Sequence, residues 1–471
     1  MKSAYISLYD KSEILPLAKT LKSLGYEIYS HGSTLNFLAE NEIDIIKVES
    51  EIHPNIEIIK LFAGKKKGII KPEIIIADIP HNFEDDTYNI LLILTAIKKG
   101  IGKAKDKKDI DKLNSHLKLF GEISEDINKE LISNALNRIS YILATQRYNI
   151  FPYINTNDDV INIPLKKIFK IKYGENPHQS CFIYSSPIKN DFNLDDINII
   201  NGELNLNHYL DIKKAVEVLN SVNEPLAMAI KHANICSISY GDTPIKALKK
   251  ITEYGYDIKR SYAFNRNIDI DLIYELEKYQ PESIIALSFS QLAIDYIKKN
   301  NDKIKILTYN SKTITPPSQK EIINLGADFA IEDKDILDET QRINFITGKN
   351  IMENIKDIKL ALLISKNLKT YSSVIVSDGR MLSFSQGEDT SSSAIRSSIY
   401  KIKSKNMIKL NEKDMILAVS GSLDEGSLNE TFKLPVKLII QGTKDINEGI
   451  IKIIKDKQIA FAITQKRHFK H

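Results

Sequence analysis

Ala227-Met228-Ala229-Ile230-Lys231-His232-Ala233-Asn234 sets four apolar residues ahead of an ammonium and an imidazole. A short unbroken apolar run reads as a buried strand. Reactive side chains just past its end are what an α/β active site carries. The spacing predicts a helix over 207–220 upstream. Downstream, Tyr262-Ala263-Phe264 runs into Asn265-Arg266, and 284–288, 374–376, 416–420, 436–440 and 459–463 read as further buried strands. Residues from about 160 to the end are therefore mixed α/β, with room for two successive subdomains.

Two other clusters share the chemistry of this one. Lys172-Tyr173-Gly174-Glu175-Asn176-Pro177-His178-Gln179 puts a cation, a phenol, an amide and an imidazole around a Gly and a Pro. Gly174 is free to take dihedrals that larger residues resist, and Pro177 fixes its own φ, so a stiff loop is expected. Arg467-His468-Phe469-Lys470-His471 closes the chain, and Phe469 among the cations points to a tucked tail. Each cluster has a plainer reading. Lys231-His232 alone is as consistent with a solvated strand end, His178 with a loop lock, and Arg467 with an exposed basic tail.

The first 150 residues also alternate. Ala4–Leu8, Tyr26–Tyr29, Asp44–Val48 and Glu73–Ile79 read as strands. Leu15, Ala18, Leu21 and Leu24 lie at helical spacing, with Gly25 at the helix C-terminus. His31-Gly32-Ser33-Thr34 is a tight loop entering a helix from Leu35, either a phosphate cradle at a helix N-terminus or an ordinary capped turn. The pattern predicts a parallel sheet flanked by helices. The charge run Lys103–Asp109 reads as a solvated helix or loop, and a helix over 126–146 closes this part. Asn155-Thr156-Asn157-Asp158-Asp159 reads as a linker.

Composition narrows the partners. The net charge is only +4, from 65 cations against 61 acids, which gives a mixed-charge surface and no nucleic-acid footprint. Two cysteines, Cys181 and Cys236, offer neither a disulfide framework nor a zinc site, and a zinc deaminase would need a Cys-x-x-Cys motif that is lacking. No metal is expected. No apolar stretch approaches a membrane span, and no signal h-region opens the sequence, so a cytoplasmic protein is expected.

Taken in order, these motifs resemble the family of bifunctional purine-biosynthesis enzymes that join AICAR formyltransferase to IMP cyclohydrolase. The block Lys172–Gln179 resembles that family's signature almost unchanged. Lys231–Asn234 is similar to its Lys-His-Ala-Asn motif, with Ile235 and Ser237 in place of Pro and Gly. Gly241-Asp242-Thr243, Ala263–Arg266 and Arg467–His471 follow in family order, and Tyr9-Asp10-Lys11 and His31–Thr34 resemble its N-terminal nucleotide loops. The resemblance implies a parallel-sheet, methylglyoxal-synthase-like domain over 1–155. A formyltransferase domain of two cytidine-deaminase-like α/β subdomains would follow over 160–471. It implies formyl transfer from 10-formyltetrahydrofolate to AICAR, giving FAICAR, then closure to IMP. It also implies a homodimer with formyl-transfer sites between subunits.

The residues suit that chemistry. The aromatic amine of AICAR is a poor nucleophile, so its attack on a formyl group needs a base and a cation for the oxyanion. His232 titrates near neutrality and is the natural base; Lys231 is the natural oxyanion partner. By resemblance Lys172 and Tyr173 hold the nucleotide, His178 and Asn234 orient the pair, Glu282 contacts substrate and Arg467 binds nucleotide. By the same resemblance Asp10, Lys11, His31, Gly32, Ser33, Thr34, Asp86 and Lys98 form the N-terminal nucleotide site.

Departures from the pattern are concentrated at a few places. Lys172 replaces an Arg and so lacks the guanidinium fork. Tyr371 stands at an Asn position and Asp389-Thr390 at a Ser-Arg pair. Gly421–Gly426 replaces a Phe-rich folate segment, Lys60–Ala63 a basic loop, and Asp78-Ile79-Pro80-His81 a Tyr-containing turn. These changes keep a second reading open, a relative that binds purine nucleotide without turnover.

Overall fold

The computed structural model describes residues 2–64, 71–79, 87–100, 102–104, 106–190, 192–253, 258–310, 320–337, 343–348, 355–404, 415–443, 445 and 447–470. It divides into two compact units, Met1–Lys166 with Ser186–Ile188, and Lys167–Ser185 with Lys189–His471. The division falls later than the linker-like stretch 155–159. Arg147, near the end of the helix Glu125–Ile150, accounts for the difference. Its guanidinium donates to the carbonyls of Phe151 (3.1 Å) and Tyr153 (2.5 Å) and to the Asp158 carboxylate (2.8 Å), pinning this segment to the helix.

The first unit holds five parallel strands in the order Ile46–Lys47, Tyr26–Ser30, Lys2–Ser7, Ile74–Ala77, Gly102–Ala104. Lys2–Ser7 and Ile74–Ala77 are buried on both faces, as the central strands of a parallel sheet should be. One apolar cluster, including Ile6, Leu17, Leu21 and Leu113, covers one face; another, including Tyr5, Ile75, Leu92 and Ile139, covers the other. The strand expected over 44–48 shrinks to Ile46–Lys47, whose side chains are both exposed at the sheet edge. The charge run is divided: Lys103 and Ala104 lie in the edge strand Gly102–Ala104, and only Lys107–Asp109 enter a helix, Lys107–Phe120. Asp106 caps it by accepting from Asp109 N–H, and Ile110, Leu113 and Leu117 bury one stripe; Asp109 is buried with them, accepting from Asn134 Nδ2 at 3.1 Å, while Lys107 and Lys108 stay exposed. Strand order reverses between Lys2–Ser7 and Ile74–Ala77, and the crevice beyond their C-terminal ends is where a doubly wound sheet binds ligands.

The second unit is built on one twelve-stranded mixed sheet. Its order is Ile343–Thr347, Ala460–Thr464, Val436–Gln441, Met415–Val419, Ser373–Ser377, Arg380–Ser385, Asn234–Tyr240, Leu226–Lys231, Ser261–Phe264, Ser283–Ala286, Lys305–Tyr309, Ile197–Asn201. The two halves repeat one plan. Each runs edge strand, helix, antiparallel hairpin, then three parallel strands separated by helices, with the edge strand returning antiparallel beside the last. They meet where Ser239 pairs with Arg380, antiparallel, so the second half is turned end for end in the sheet. A single apolar cluster spans one face of both halves beneath the helices Leu206–Leu219 and Ile355–Lys366. The opposite face carries two separate clusters, one per half.

Candidate functional site

Each half carries a two-residue hairpin turn. Lys231 pairs with Asn234, leaving His232 and Ala233 as the turn; Ser377 pairs with Arg380, leaving Asp378 and Gly379. All four turn residues have positive φ: 54° and 59° in the first turn, 50° and 68° in the second. Such turns match the twist of a hairpin, but favour Gly and Asn. His232 and Ala233 are neither, so something must hold them. An aspartate on the preceding helix does so in both halves. Asp211 Oδ1 accepts from Ala233 N–H at 2.7 Å, and Asp357 Oδ1 accepts from Gly379 N–H at 2.6 Å. Burial pushes both carboxyls above their usual range, and for Asp211 the Ala233 N–H, the Ser261 hydroxyl (2.9 Å), Lys231 and His232 pull the other way.

His232 is exposed at the turn, next to the partly buried Lys231. Lys231 Nζ is ion-paired with Glu282, at 2.5 and 2.6 Å from its two oxygens. Glu282 and Lys305 stand at the N-terminal ends of parallel strands, with Lys231 at the end of an antiparallel neighbour. The site therefore lies at the opposite edge of the parallel strands from that expected for an α/β sheet, because the hairpin strand that delivers Lys231 runs against them.

The first cluster joins this edge through one helix start. Tyr173 Oη accepts from Asn205 Nδ2 (2.8 Å), and Asn205 Oδ1 caps the helix Leu206–Leu219 by accepting from His208 N–H. His208 Nδ1 accepts in return from Asn205 N–H (3.1 Å). Burial, reinforced by Lys305, lowers the His208 pKa to about 4, so its ring is neutral at physiological pH. The unfolded chain binds a proton at His208 below about pH 6.5 and the folded chain does not until about pH 4, so stability is lost as pH falls through that window. In His208→Gln, which keeps the capping box, the drop in urea midpoint between pH 7 and pH 4.5 is expected to be smaller than in the wild type.

The loop Lys172–Gln179 is rigid for a reason other than the expected one. Gly174 does not have positive φ; a Cβ there would meet Gln179 at 3.1 Å. Gln179 closes the loop by accepting from Gly174 N–H at its carbonyl and from Asn176 N–H at Oε1. Lys172 and His178 are exposed on this loop, and His178 makes no hydrogen bond among the described residues.

The terminal cluster lies on the same edge, reached through the second half. Asn234 Oδ1 accepts from Gln386 Nε2 (2.7 Å), Gln386 Oε1 accepts from Lys369 N–H, and Thr370 and Lys470 exchange backbone and hydroxyl bonds. Arg467 stacks on Phe469 at 3.1 Å from the ring centroid, and Phe469 meets Tyr371 edge-on at 6.4 Å. Tyr371 fits because residue 421 is Gly: a Cβ there would lie 2.5 Å from the ring. The tail is tucked, with His468 buried against Asp335; His471 is outside the described residues. Thr390 is a plain helix cap, accepting from Ser393 N–H.

In the first unit the loop residues gather at the switch point. Asp78 Oδ2 accepts from Tyr9 N–H (2.7 Å) and Asp10 N–H (3.0 Å). Lys11 Nζ donates to Tyr9 O. His31 precedes a helix that begins at Gly32 (φ 54°), three residues earlier than the Leu35 start expected, and Gly32 and Ser33 are exposed. Thr34 is buried, its hydroxyl donating to Leu8 O and accepting from Leu8 N–H, so it fastens the loop. Lys98 is not brought to this place. It ends the helix Thr87–Lys98, about 15 Å along the axis from Tyr88 at ~1.5 Å per residue. Asp86, Pro80 and His81 lie outside the described residues.

Sequence reasoning missed His208 and Asp211, which act from a helix face, and Tyr5, Asn55 and Asn89 in the first unit. Only the Asn205-x-x-His208 spacing carried a signal, that of a capping box. Among the described residues no group of three or more His, Cys, Asp or Glu could hold a metal, and no helix is long and apolar enough to cross a membrane.

Comparison with known proteins agrees along the whole chain. Residues 13–104 match the MGS-like domain and residues 103–401 match the AICARFT/IMPCHase bienzyme. Full-length relatives, each aligned over 100% of both chains, are the bifunctional purine biosynthesis proteins PurH of Caldicellulosiruptor saccharolyticus (26% identical), Persephonella marina (25%) and Fusobacterium nucleatum (26%). A five-stranded parallel unit followed by a doubled α/β unit, with its Lys-His turn kept intact, thus places the chain in the AICARFT/IMPCHase bienzyme family.

Proposed function

We propose that the turn Lys231–Asn234 is the formyl-transfer centre of a purine-biosynthesis enzyme that makes FAICAR from AICAR and closes it to IMP. The observation that carries this reading is that members of all three clusters are tied to one sheet edge: Tyr173 to Asn205 at the start of the helix whose Asp211 holds the turn left-handed, and Asn234 through Gln386 to the Lys369–Thr370 segment that bonds Lys470. His232 takes the proton from the amine of AICAR as that nitrogen attacks the formyl carbon. Lys231, released from Glu282 as substrate enters, faces the oxygen of the tetrahedral adduct. Lys172, Tyr173 and Arg467 hold the nucleotide, and His178 and Asn234 orient the reacting groups.

10-Formyltetrahydrofolate supplies the formyl group. Its flat ring suits an aromatic partner; Arg467 covers one face of Phe469, which meets Tyr371 edge-on, so the partly exposed ring of Tyr371 is the partner we assign. On this reading Tyr371 takes the place of the missing Phe-rich segment at 421–426. A nucleotide binder without turnover is not favoured, since Lys231 and His232 are both present and the family match runs through the turn.

A homodimer is part of the proposal. Ile168, Phe169, Phe182 and Tyr184 are exposed on the hairpin that carries the Lys172–Gln179 loop, a surface suited to burial against a second copy. Purified protein given AICAR and 10-formyltetrahydrofolate should form FAICAR and sediment as a dimer. A monomer that turns over would remove the shared-site part, and a dimer without turnover would remove the enzyme.

A further inference from the structure

The first unit contains two imidazoles whose proton positions are set by the fold. The carbonyl oxygen of Asp78 can only accept, so the group facing it, Asn89 Nδ2 at 3.0 Å, must donate. That turns Asn89 Oδ1 toward Asn55, whose Nδ2 donates to it at 2.6 Å. Asn55 Oδ1 then faces Tyr5 and takes the phenol proton at 2.5 Å. A phenol has one proton, so toward His31 Nδ1, 2.9 Å away, Tyr5 can only accept. His31 Nδ1 therefore carries the hydrogen, and the Nε2 of the neutral ring carries the lone pair.

His53 is fixed the other way. It stands at the N-cap of the helix Pro54–Phe62, and its Nδ1 accepts from Asn55 N–H at 3.2 Å, so its hydrogen is on Nε2. The two rings meet edge to face, 5.5 Å between centroids, and Tyr88 stacks on His53 at 4.4 Å. One imidazole is arranged to take a proton and the other to donate a hydrogen bond. His31 follows the strand Tyr26–Ser30 and bonds Tyr5 of the adjacent Lys2–Ser7, and His53 bonds Asn55, which Asn89 links to Asp78 just past Ile74–Ala77; both rings thus lie beside the point where strand order reverses, the place where a doubly wound sheet binds ligands.

We infer that His31 and His53 are the catalytic pair for ring closure of the formamido-carboxamide nucleotide, an inference that rests on the bifunctional reading above. The carboxamide nitrogen bonds to the formyl carbon, one of its protons passes to His31 Nε2, and the formyl oxygen gathers charge against His53 Nε2–H. His31 returns that proton to the oxygen, giving a hydroxyl. The carbon–oxygen bond then breaks, the formamido N–H proton joins the hydroxyl through His31, and water leaves as the ring becomes aromatic. Tyr5, Asn55 and Asn89 are positioning residues that keep His31 in the reactive tautomer.

The test is His31→Asn and His53→Asn in the full chain. An Asn at 31 can still donate to Tyr5, and an Asn at 53 is a preferred N-cap, so both variants keep the structural bonds. Ring closure is followed on FAICAR with the uncatalysed background subtracted, and thermal unfolding reports folding. Each variant is expected to lose about 100-fold in kcat with KM within about threefold, and the double variant little more, because the two act as a unit. Folded variants that close the ring at the wild-type rate would overturn the pair and leave the bifunctional reading standing. A wild-type protein with no closure above background would overturn both. Nitrogen chemical shifts placing the His31 hydrogen on Nε2 would overturn the tautomer relay and the role of His31 with it.

Discussion

His232→Ala is expected to lower formyl transfer to AICAR by about 10²–10⁴-fold, the range for removing a positioned general base. AICAR binding should fall little, because the proposed nucleotide contacts lie elsewhere, at Lys172, Tyr173 and Arg467. His232 is exposed and packs against no core cluster, so the variant should unfold at the wild-type temperature. Ring closure of added FAICAR should be unchanged, because the pair proposed for it, His31 and His53, belongs to the other unit. Single-turnover formylation and closure assays on one preparation read all of this. Equal FAICAR formation by variant and wild type would remove His232 from the mechanism.

Lys231→Met is expected to cost about 10²–10³-fold in the same step, the usual effect of deleting one oxyanion donor. The substitution has a second consequence. Glu282 accepts both its short bonds from Lys231, and Met leaves that carboxylate without its cation at a partly buried place. Its charge then faces the incoming anionic substrate, so KM should rise together with the loss of kcat. Pairing the change with Glu282→Gln should restore KM but not kcat. Recovery of kcat in the double variant would show that Lys231 serves only to neutralise Glu282.

The sequence made the strands legible where burial is complete. Runs such as Ile74–Ala77 and Val436–Gln441 read as buried β because they are too short for a helix and because parallel strands covered on both faces lose the alternation of a half-exposed strand. Edges were harder. Ile46–Lys47 is exposed, so its apolar pattern overstated it. The Lys-His turn and the tucked tail could be recognised by residue type. The edge of the sheet on which they meet could not, since that depends on the hairpin strand running antiparallel to its neighbours. Asp211 was invisible for a similar reason: a lone acid on a helix has no local signature, and its partner lies twenty-two residues on. Gly174 was correctly marked as special, but for its φ, when close contact with Gln179 is what excludes a side chain. The aromatic surface at Tyr371 escaped because it draws on residues distant in sequence, with Gly421 making space.

The doubled plan of the second unit offers an internal control on its own chemistry. Gly379 shows what the backbone prefers at the second turn position, and Ala233 accepts about 1 kcal/mol of local strain at the matching place. Selection for durability alone would have put glycine in both copies. Alanine leaves the backbone beside His232 less freedom than glycine would, so Ala233→Gly is expected to raise the unfolding temperature and to slow formyl transfer.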